Sequence, residues 1–353
     1  MIYDVIIIGA GAAGASAALE FARADICTLV VEKEALPREK PCGGAMPSSV
    51  GELLGLDISK IVKNRTQSLK IYNNYQDEVT SKTLGTGAPV LINRSEFDMF
   101  VLDQAKSIGC ENIQIIDQCS VISINETDDK VHISLQNGKE FQTKYLIGAD
   151  GALSKTASMA GLMKKRKFAP SLDAEITTND QYYHNHKDEM VINYFCLPHG
   201  YGWIFPKEKN RFSCGVGTWG KPLNLNRELD NFIGRSFPWE SIEKIEVSGY
   251  PIPIYQGRQQ ISTNRILLSG DAAGLVDPVS GEGIRFALHS GKIAANVIAN
   301  ALKGSTLAKN FIADEYQKII YDEIGKELKT KLSFVSLAFH HNPDMFYKTF
   351  VKK

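Results

Sequence analysis

The chain has 353 residues, 43% hydrophobic and 23% charged, enough to bury a sizeable core in two domains or one large discontinuous one. Its 40 Lys and Arg balance 40 Asp and Glu, which removes the electrostatic case for nucleic acid, whose binding domains are usually basic. No apolar stretch approaches the roughly 18 residues of a membrane-spanning helix, and no basic segment leads into an apolar one before the first strand, so neither a transmembrane helix nor a cleaved signal peptide is expected.

Val5 to Ile8 is a continuous β-branched run, suited to a strand buried on both faces. Gly9, Gly11 and Gly14 follow, Ala15 to Arg23 reads as a helix, and Ile26 to Val31 reads as a second buried strand ending in Glu32. This is a βαβ unit with a dinucleotide at its first turn. Gly9 permits the tight turn, Gly11 lets the backbone approach a pyrophosphate, and Gly14 lets helix and strand pack closely. The helix N-terminus offers unpaired N–H groups to phosphates, and Glu32 would accept from ribose hydroxyls.

Asn93 to Cys110 reads as a helix with Ser95 as its N-cap, Asp98 as a short capping-box partner and Gly109 as its stop. Ser120 to Ile124 and Val131 to Leu135 read as strands, Asn137-Gly138 as a hairpin turn, and Tyr145 to Gly151 as a short buried strand ending in Gly-Asp-Gly. The basic run Lys164 to Lys167 reads as a solvated loop. From about 165 to 255, aromatic and β-branched segments such as Met190 to Phe195 and Arg211 to Gly217 alternate with Pro and Gly, which predicts an antiparallel sheet. Within it Tyr201, Trp203 and Phe205 alternate at period two and share one face, as either the wall of a hydrocarbon cavity or an aromatic core face.

Ile266 to Asp271 returns to a buried strand. A carboxylate placed there is costly unless hydrogen-bonded, and the polyol of a flavin ribityl chain would satisfy Asp271. Gly281 and Gly283 then open a helix to Ala301, whose positive N-terminal end suits the N1–C2=O edge of a reduced flavin. The tail from Thr306 reads as one or two amphipathic helices. The expected division is a nucleotide domain of residues 1–60, 90–160 and 256–305, a sheet domain of 61–89 and 161–255, and C-terminal helices in 306–353. Cys27, Cys42, Cys110, Cys119, Cys196 and Cys214 show no C-x-x-C pairing, so no metal or iron–sulfur site is expected, and scattered thiols suit a reducing cytoplasm.

The Gly9–Gly14 turn, Gly148-Ala149-Asp150-Gly151 and Gly270-Asp271, in this order, resemble the glutathione-reductase-like Rossmann class of FAD-dependent hydroxylases: an α/β FAD-binding domain with an inserted antiparallel-sheet substrate domain. Pro41-Cys42-Gly43-Gly44 and the segment Pro198 to Pro206, which matches P-x-x-Y-x-W-x-F-P, resemble the geranylgeranyl reductase family, over roughly residues 1 to 300. That resemblance implies FAD contacts at Gly9, Gly11, Ala13, Gly14, Glu32, Lys33, Cys42, Gly43, Arg94, Val121, Asp150, Asp271, Gly281, Gly283 and Ile284. It implies a prenyl cavity lined by Tyr201, Trp203 and Phe205, with Cys42, Tyr201 and Trp203 at the chemistry and Tyr201, Cys42 or a water as proton source. His199 and His289 are expected to be structural. Two departures stand out: Ala157 and Lys155 replace the Arg usual shortly after Ser154, and the chain is short beyond residue 300.

The implied activity is FAD-dependent saturation of carbon–carbon double bonds in a polyprenyl lipid or related isoprenoid, with NAD(P)H or ferredoxin as electron donor. The alternatives are a flavin-dependent hydroxylase or halogenase, whose G-W-x-W-x-I-P motif is matched only in part, and a flavin-binding electron carrier or redox sensor. A prenyl substrate and an apolar tail with Phe334, Val335, Leu337, Phe339, Met345, Phe346 and Phe350 predict a cytoplasmic protein with peripheral contact on the inner face of the membrane.

Overall fold

The computed structural model describes residues 2–82, 89–220, 223–304 and 311–336. Met1–Arg38, Ser95–Lys167 and Pro253–Leu332 form one compact unit, and Glu39–Arg94 with Phe168–Ile252 make most of a second. Residues 39–60, expected in the nucleotide domain, group instead with the second unit. The reason is pairing: Ala45–Pro47 and Val62–Arg65 both run antiparallel to Pro89–Ile92 in a small sheet.

The first unit is built on a parallel sheet. Ile113–Ile116, Thr28–Val31, Ile2–Ile8 and Glu140–Gly148 lie side by side in that order. Val5 to Ile8 are all buried, as a β-branched run in the middle of such a sheet must be. The long strand Glu140–Gly148 takes Val131–Leu135 antiparallel along its first half and Ile266–Leu268 parallel along its last. The chain near residue 266 therefore completes a sheet begun at residue 2. The helix Ala12–Arg23 starts three residues before the expected Ala15, directly on Gly11. It packs on the long helix Ile284–Leu302, and Ser16 Oγ donates to the Leu288 carbonyl at 2.8 Å.

The expected cap at Ser95 is corrected. The helix Arg94–Ile108 begins one residue earlier, so Ser95 lies inside its first turn, and Asp98 is taken by Arg38 at 3.4 Å. The tail forms Phe311–Ile320 and Lys326–Ser336, joined by a π turn at Tyr321–Gly325. Tyr316 is fully buried, and its hydroxyl donates to the Leu268 carbonyl. Up to Leu332 the tail is thus part of the first unit. Phe334 and Val335 are half-buried; Leu337, Phe339, Met345, Phe346 and Phe350 lie outside the described residues. No described helix is long and apolar enough to cross a membrane.

The second unit carries a seven-stranded sheet in the order Ile242–Gly249, Ser171–Thr178, Arg211–Thr218, Gly200–Pro206, Glu189–Tyr194, Ser68–Asn73 and Gln76–Lys82. All neighbours are antiparallel except Glu189–Tyr194 with Ser68–Asn73. One face is covered by the helix Leu225–Ser236: Leu229, Phe232 and Ile233 pack on Ala174, Ile176, Ile204, Phe212, Cys214 and Val216. The other face carries Tyr201, Trp203 and Phe205.

Candidate active site

At the first turn Gly9 has φ +102°, and a Cβ there would lie 2.4 Å from the Ala149 carbonyl oxygen; on Gly14 it would lie 1.9 Å from that of Gly9. Neither position admits a side chain. The following helix has no side-chain cap on Gly11 and no acid in its first turn, so its leading amides are available to an anion. Ala13 is buried in that first turn. Glu32 is 4% exposed at the end of the second strand. Its carboxylate accepts from the Ala10 amide at 2.8 Å and the Glu34 amide at 3.1 Å, and pairs with Arg38 Nε at 3.3 Å. Arg38 escaped the sequence reading because it lies in an irregular segment with no periodicity to mark it. Lys33 is exposed beside Glu34, and the Val121 side chain belongs to the core of the sheet, leaving only its backbone for a ligand.

Asp150 is used locally. Its carboxylate accepts from the Ser154 hydroxyl and from Thr156 through the amide at 2.9 Å and the hydroxyl at 3.0 Å, while Ser154 caps the helix Lys155–Met159 through the Ala157 amide. The Asp150 carboxylate is thus engaged by the chain's own turn. The cation missing after Ser154 arrives from elsewhere: Arg166 donates to the carbonyls of Ser154 at 3.2 Å and Ala152 at 3.4 Å. Burial lowers the Arg166 pKa, and the charge of Asp150 opposes that. The basic run is therefore not wholly a solvated loop.

The second glycine-rich turn, Gly270–Ala273, carries Asp271. A Cβ on Gly283 would lie 3.3 Å from Asp271 Oδ1, so this carboxylate sits at the N-terminus of the helix Ile284–Leu302, where the Arg285 amide donates to Glu282 Oε1 at 3.3 Å. The loop before it is held by buried Asp277. Its Oδ1 accepts from the Val279 amide at 2.8 Å and the Ser280 amide at 3.3 Å, its Oδ2 pairs with Lys331 at 2.7 Å, and its carbonyl accepts from Gly281 at 3.0 Å. Lys331 also pairs with Glu327 at 2.8 Å, Glu327 with Arg285 at 2.9 Å, and Arg285 with Glu282 at 3.4 Å. Burial raises the Glu282 pKa, opposed by Arg285. Ile284 is buried as the first residue of the helix. An uncapped helix start at Gly11, an acid closing the second strand and Asp271 beside the second helix start together fit FAD.

In the second unit the face bearing Tyr201, Trp203 and Phe205 is not the helix-covered core. Ile204 belongs to that core, and the space over Gly202 is filled by the Phe232 ring. Across the sheet Tyr201 opposes Gly217, Trp203 opposes Gly215 and Phe205 opposes Ser213. A Cβ on Gly215 would meet the Trp203 ring at 2.1 Å, so the indole occupies the room a side chain there would need. Tyr201 lies 5.7 Å from Tyr194 and 5.3 Å from Trp219, centroid to centroid. Half-buried Cys42 accepts from the Gly44 amide through Sγ at 3.4 Å. The adjoining Gly43 lies against the Phe205 ring and Trp203 Nε1. Two motifs well separated in sequence thus share one surface. Arg94 is buried at the head of its helix. His199 shapes a turn at φ +55°, and His289 pairs with Glu323 at 3.0 Å, its pKa lowered by burial against the pull of Glu323. No metal-holding cluster occurs among the described residues.

Residues 2–319 match the family model described as FAD binding domain. An uncharacterised protein of Methanosarcina barkeri is 31% identical over 322 residues, covering 90% of this chain and 80% of its own. A digeranylgeranylglycerophospholipid reductase of Methanosarcina acetivorans is 29% identical over 349 residues, covering 94% of this chain and 83% of its own. Among solved structures, a geranylgeranyl bacteriochlorophyll reductase-like protein of Thermoplasma acidophilum superposes with a TM-score of 0.87 at 22% identity, covering 98% of this chain and 90% of that one.

Proposed function

We propose that this chain, which belongs to the FAD-binding domain family and is a geranylgeranyl reductase-like, FAD-dependent oxidoreductase, saturates carbon–carbon double bonds of a polyprenyl group carried on a lipid. The observation that carries this reading is the aromatic strand. Three large rings share one sheet face, opposed by Gly215, Gly217 and Ser213, and are kept apart from the helix-covered core.

Bound flavin supplies the hydride for such a saturation. Gly9, Gly14 and the uncapped helix start hold its pyrophosphate, Glu32 its ribose, and Asp271 its ribityl chain. An isolated alkene has no carbonyl to polarise, so positioning must supply much of the rate. Tyr201, Trp203 and Phe205 provide it by offering rigid apolar contact to the prenyl chain and excluding water from it. The Tyr201 hydroxyl, the Cys42 thiol or an ordered water holds the proton that completes the saturation. Electrons come from NAD(P)H or a ferredoxin, and the protein meets its lipid at the inner membrane surface.

The test is anaerobic. The flavin is reduced chemically, a geranylgeranyl lipid is added, and flavin reoxidation is followed alongside product mass. Reoxidation accompanied by mass gains of two hydrogens per bond supports the reading. Reduced flavin that stays reduced with every prenyl lipid tried, yet reoxidises with oxygen, favours a hydroxylase or an electron carrier instead.

A further inference from the structure

Beneath the aromatic face lies a polar chain that the proposed reaction does not use. Trp203 Nε1 donates to Ser213 Oγ at 3.1 Å, and Ser213 Oγ lies 3.1 and 3.2 Å from the two oxygens of Asp173. All three residues are buried, Ser213 completely. The direction of the chain is fixed by chemistry. An indole N–H can only donate, so Ser213 accepts from it and must direct its own hydrogen to Asp173. The indole is also confined sterically: its ring fills the space over Gly215, and Nε1 is the atom that a Cβ on Gly43 would approach to 3.3 Å.

We infer that Asp173 is a positioning residue of this face: through Ser213 it fixes the orientation of the Trp203 indole, and through the indole the seat of Gly43 and the neighbouring Cys42. The effect of this on turnover rests on the proposed reading of the face as a substrate wall; the positioning itself does not. An ionised Asp173 is purely an acceptor and makes a charge-assisted bond to Ser213. A protonated Asp173 can also donate, and a carboxyl proton directed at Ser213 Oγ reverses that bond: it displaces the serine hydrogen and takes the second lone pair of the oxygen that Trp203 already uses, so the geometry around it changes.

The groups facing Asp173 are few. Glu175 stands on its own strand, Ser213 on the adjacent strand, whose Cys214 turns to the helix-covered face, and Ser248 opposite it on the other side. Lys207 follows the aromatic strand and pairs with Glu175 at 3.2 Å. Burial pushes the Asp173 carboxyl up to about 6, Lys207 pulls it back and Glu175 adds to the rise. The reversal of the bond at Ser213 therefore falls where modest acidification drives it.

The experiment labels the full-length, FAD-loaded protein with 5-fluorotryptophan and follows its ¹⁹F resonances from about pH 5 to about pH 8, on either side of the Asp173 value. The chain has 3 Trp, and the Trp203 signal is identified by its loss in Trp203→Phe. We expect that signal to shift with a midpoint near 6, to lose the shift in Asp173→Asn and Ser213→Ala, and to retain it in Ser213→Thr, which keeps the hydroxyl. A merely structural Asp173 lowers the melting temperature of Asp173→Asn and leaves the pH profile of Trp203 untouched. A wild-type Trp203 signal that does not move over this range, or one that moves equally in Asp173→Asn, overturns the inference. Should Ser213→Ala not fold, Asp173→Asn and Ser213→Thr decide it alone. In turnover Ser213→Ala should raise KM for a prenyl lipid several-fold while Ser213→Thr does not. If no prenyl lipid is a substrate, that arm fails while the resonance arms still stand.

Discussion

The contact by which the C-terminal helix holds the loop before Ile284–Leu302 can be tested with one substitution, Lys331→Met. Lys331 Nζ lies 2.7 Å from Asp277 Oδ2; the Asp277 side chain is 4% exposed and that of Lys331 33%. Removing one partner of a buried ion pair typically costs about 3–5 kcal/mol, because the other charge is left uncompensated. Two features reduce that here. Asp277 keeps the amides of Val279 and Ser280, and Lys331 is partly wet. The cost should therefore resemble a single hydrogen bond to a charged group, about 1.5–3 kcal/mol, which for a protein of this size lowers the melting temperature by on the order of 5 °C. Met keeps most of the length of the apolar stem, so lost packing adds little; the ammonium, 5.9 Å from the Phe286 ring centroid, goes with the charge.

The assay is thermal unfolding with and without saturating FAD, with Lys303→Met as control, since Lys303 is exposed at the end of the long helix and such surface changes stay within about 0.5 kcal/mol. Because the Asp277 loop leads directly into the N-terminus of Ile284–Leu302, Lys331→Met should also weaken FAD binding. Asp277→Asn, which keeps the turn-closing acceptor and drops the charge, should reduce the cost of Lys331→Met in a double-mutant cycle to the share it owes to Glu327. A melting temperature for Lys331→Met no lower than that of Lys303→Met would refute the latch.

Three further outcomes follow from the same geometry. Asp271→Ala should reduce FAD affinity by about 1.5–3 kcal/mol, the worth of a hydrogen bond to a charged group, and weaken flavin binding more than folding; equal flavin content in mutant and wild type at limiting FAD counts against the ribityl assignment. Trp203→Ala should retain reducible flavin and normal reaction with oxygen but slow reoxidation by a prenyl lipid by roughly a hundredfold, the penalty of about 1 Å of misplacement; a wild-type rate removes the aromatic strand from the chemistry. Glu327 loses affinity for its proton: burial would raise its pKa, but the hydrogen bonds and charges of Arg285 and Lys331 outweigh that and lower it below 4.5. Its contribution is therefore present above its unfolded value and lost as pH falls through the folded one, so the melting-temperature gap between wild type and Glu327→Gln should be full near neutral pH and close in acid.

What the sequence made legible was local. The first βαβ unit is written within 32 consecutive residues, because glycines, apolar runs and the terminal acid are each read by near neighbours. Tyr201, Trp203 and Phe205 declare a shared face by alternation alone. What escaped notice was either irregular or distant. Arg38 lies only six residues from Glu32 but in coil, where no period marks it. Arg166 supplies the cation sought immediately after Ser154, from twelve residues away. Asp173 and Ser213 meet because two strands are adjacent in a sheet whose order the sequence does not state, and Lys331 reaches Asp277 across 54 positions. The cap at Ser95 failed for another reason: Asn93, Arg94 and Ser95 follow one another, and composition cannot say which of them the helix begins on.

The two glycine-started helices differ in a way with thermodynamic consequences. Gly11 leaves the N-terminal amides of a buried helix without a side-chain cap and with no acid in the first turn, whereas beyond Gly283, where the Asp277 loop ends, the Arg285 amide donates to Glu282 Oε1 at 3.3 Å. Against Ser or Asp, a Gly cap sacrifices little intrinsic stability, but the orphan amides and the positive end of the dipole remain to be satisfied. An anionic ligand satisfies both, so FAD contributes to the folded state as a cap that the chain does not supply itself. At a thousandfold excess over Kd such linkage is worth about 4 kcal/mol. The Asp277–Lys331 contact acts on the same loop from the protein side. The two contributions are therefore coupled rather than independent, and the melting-temperature loss in Lys331→Met should depend on FAD concentration. It should approach the bare cost of the ion pair when FAD is scarce, and be larger when FAD is in excess over both dissociation constants, by RT ln of their ratio.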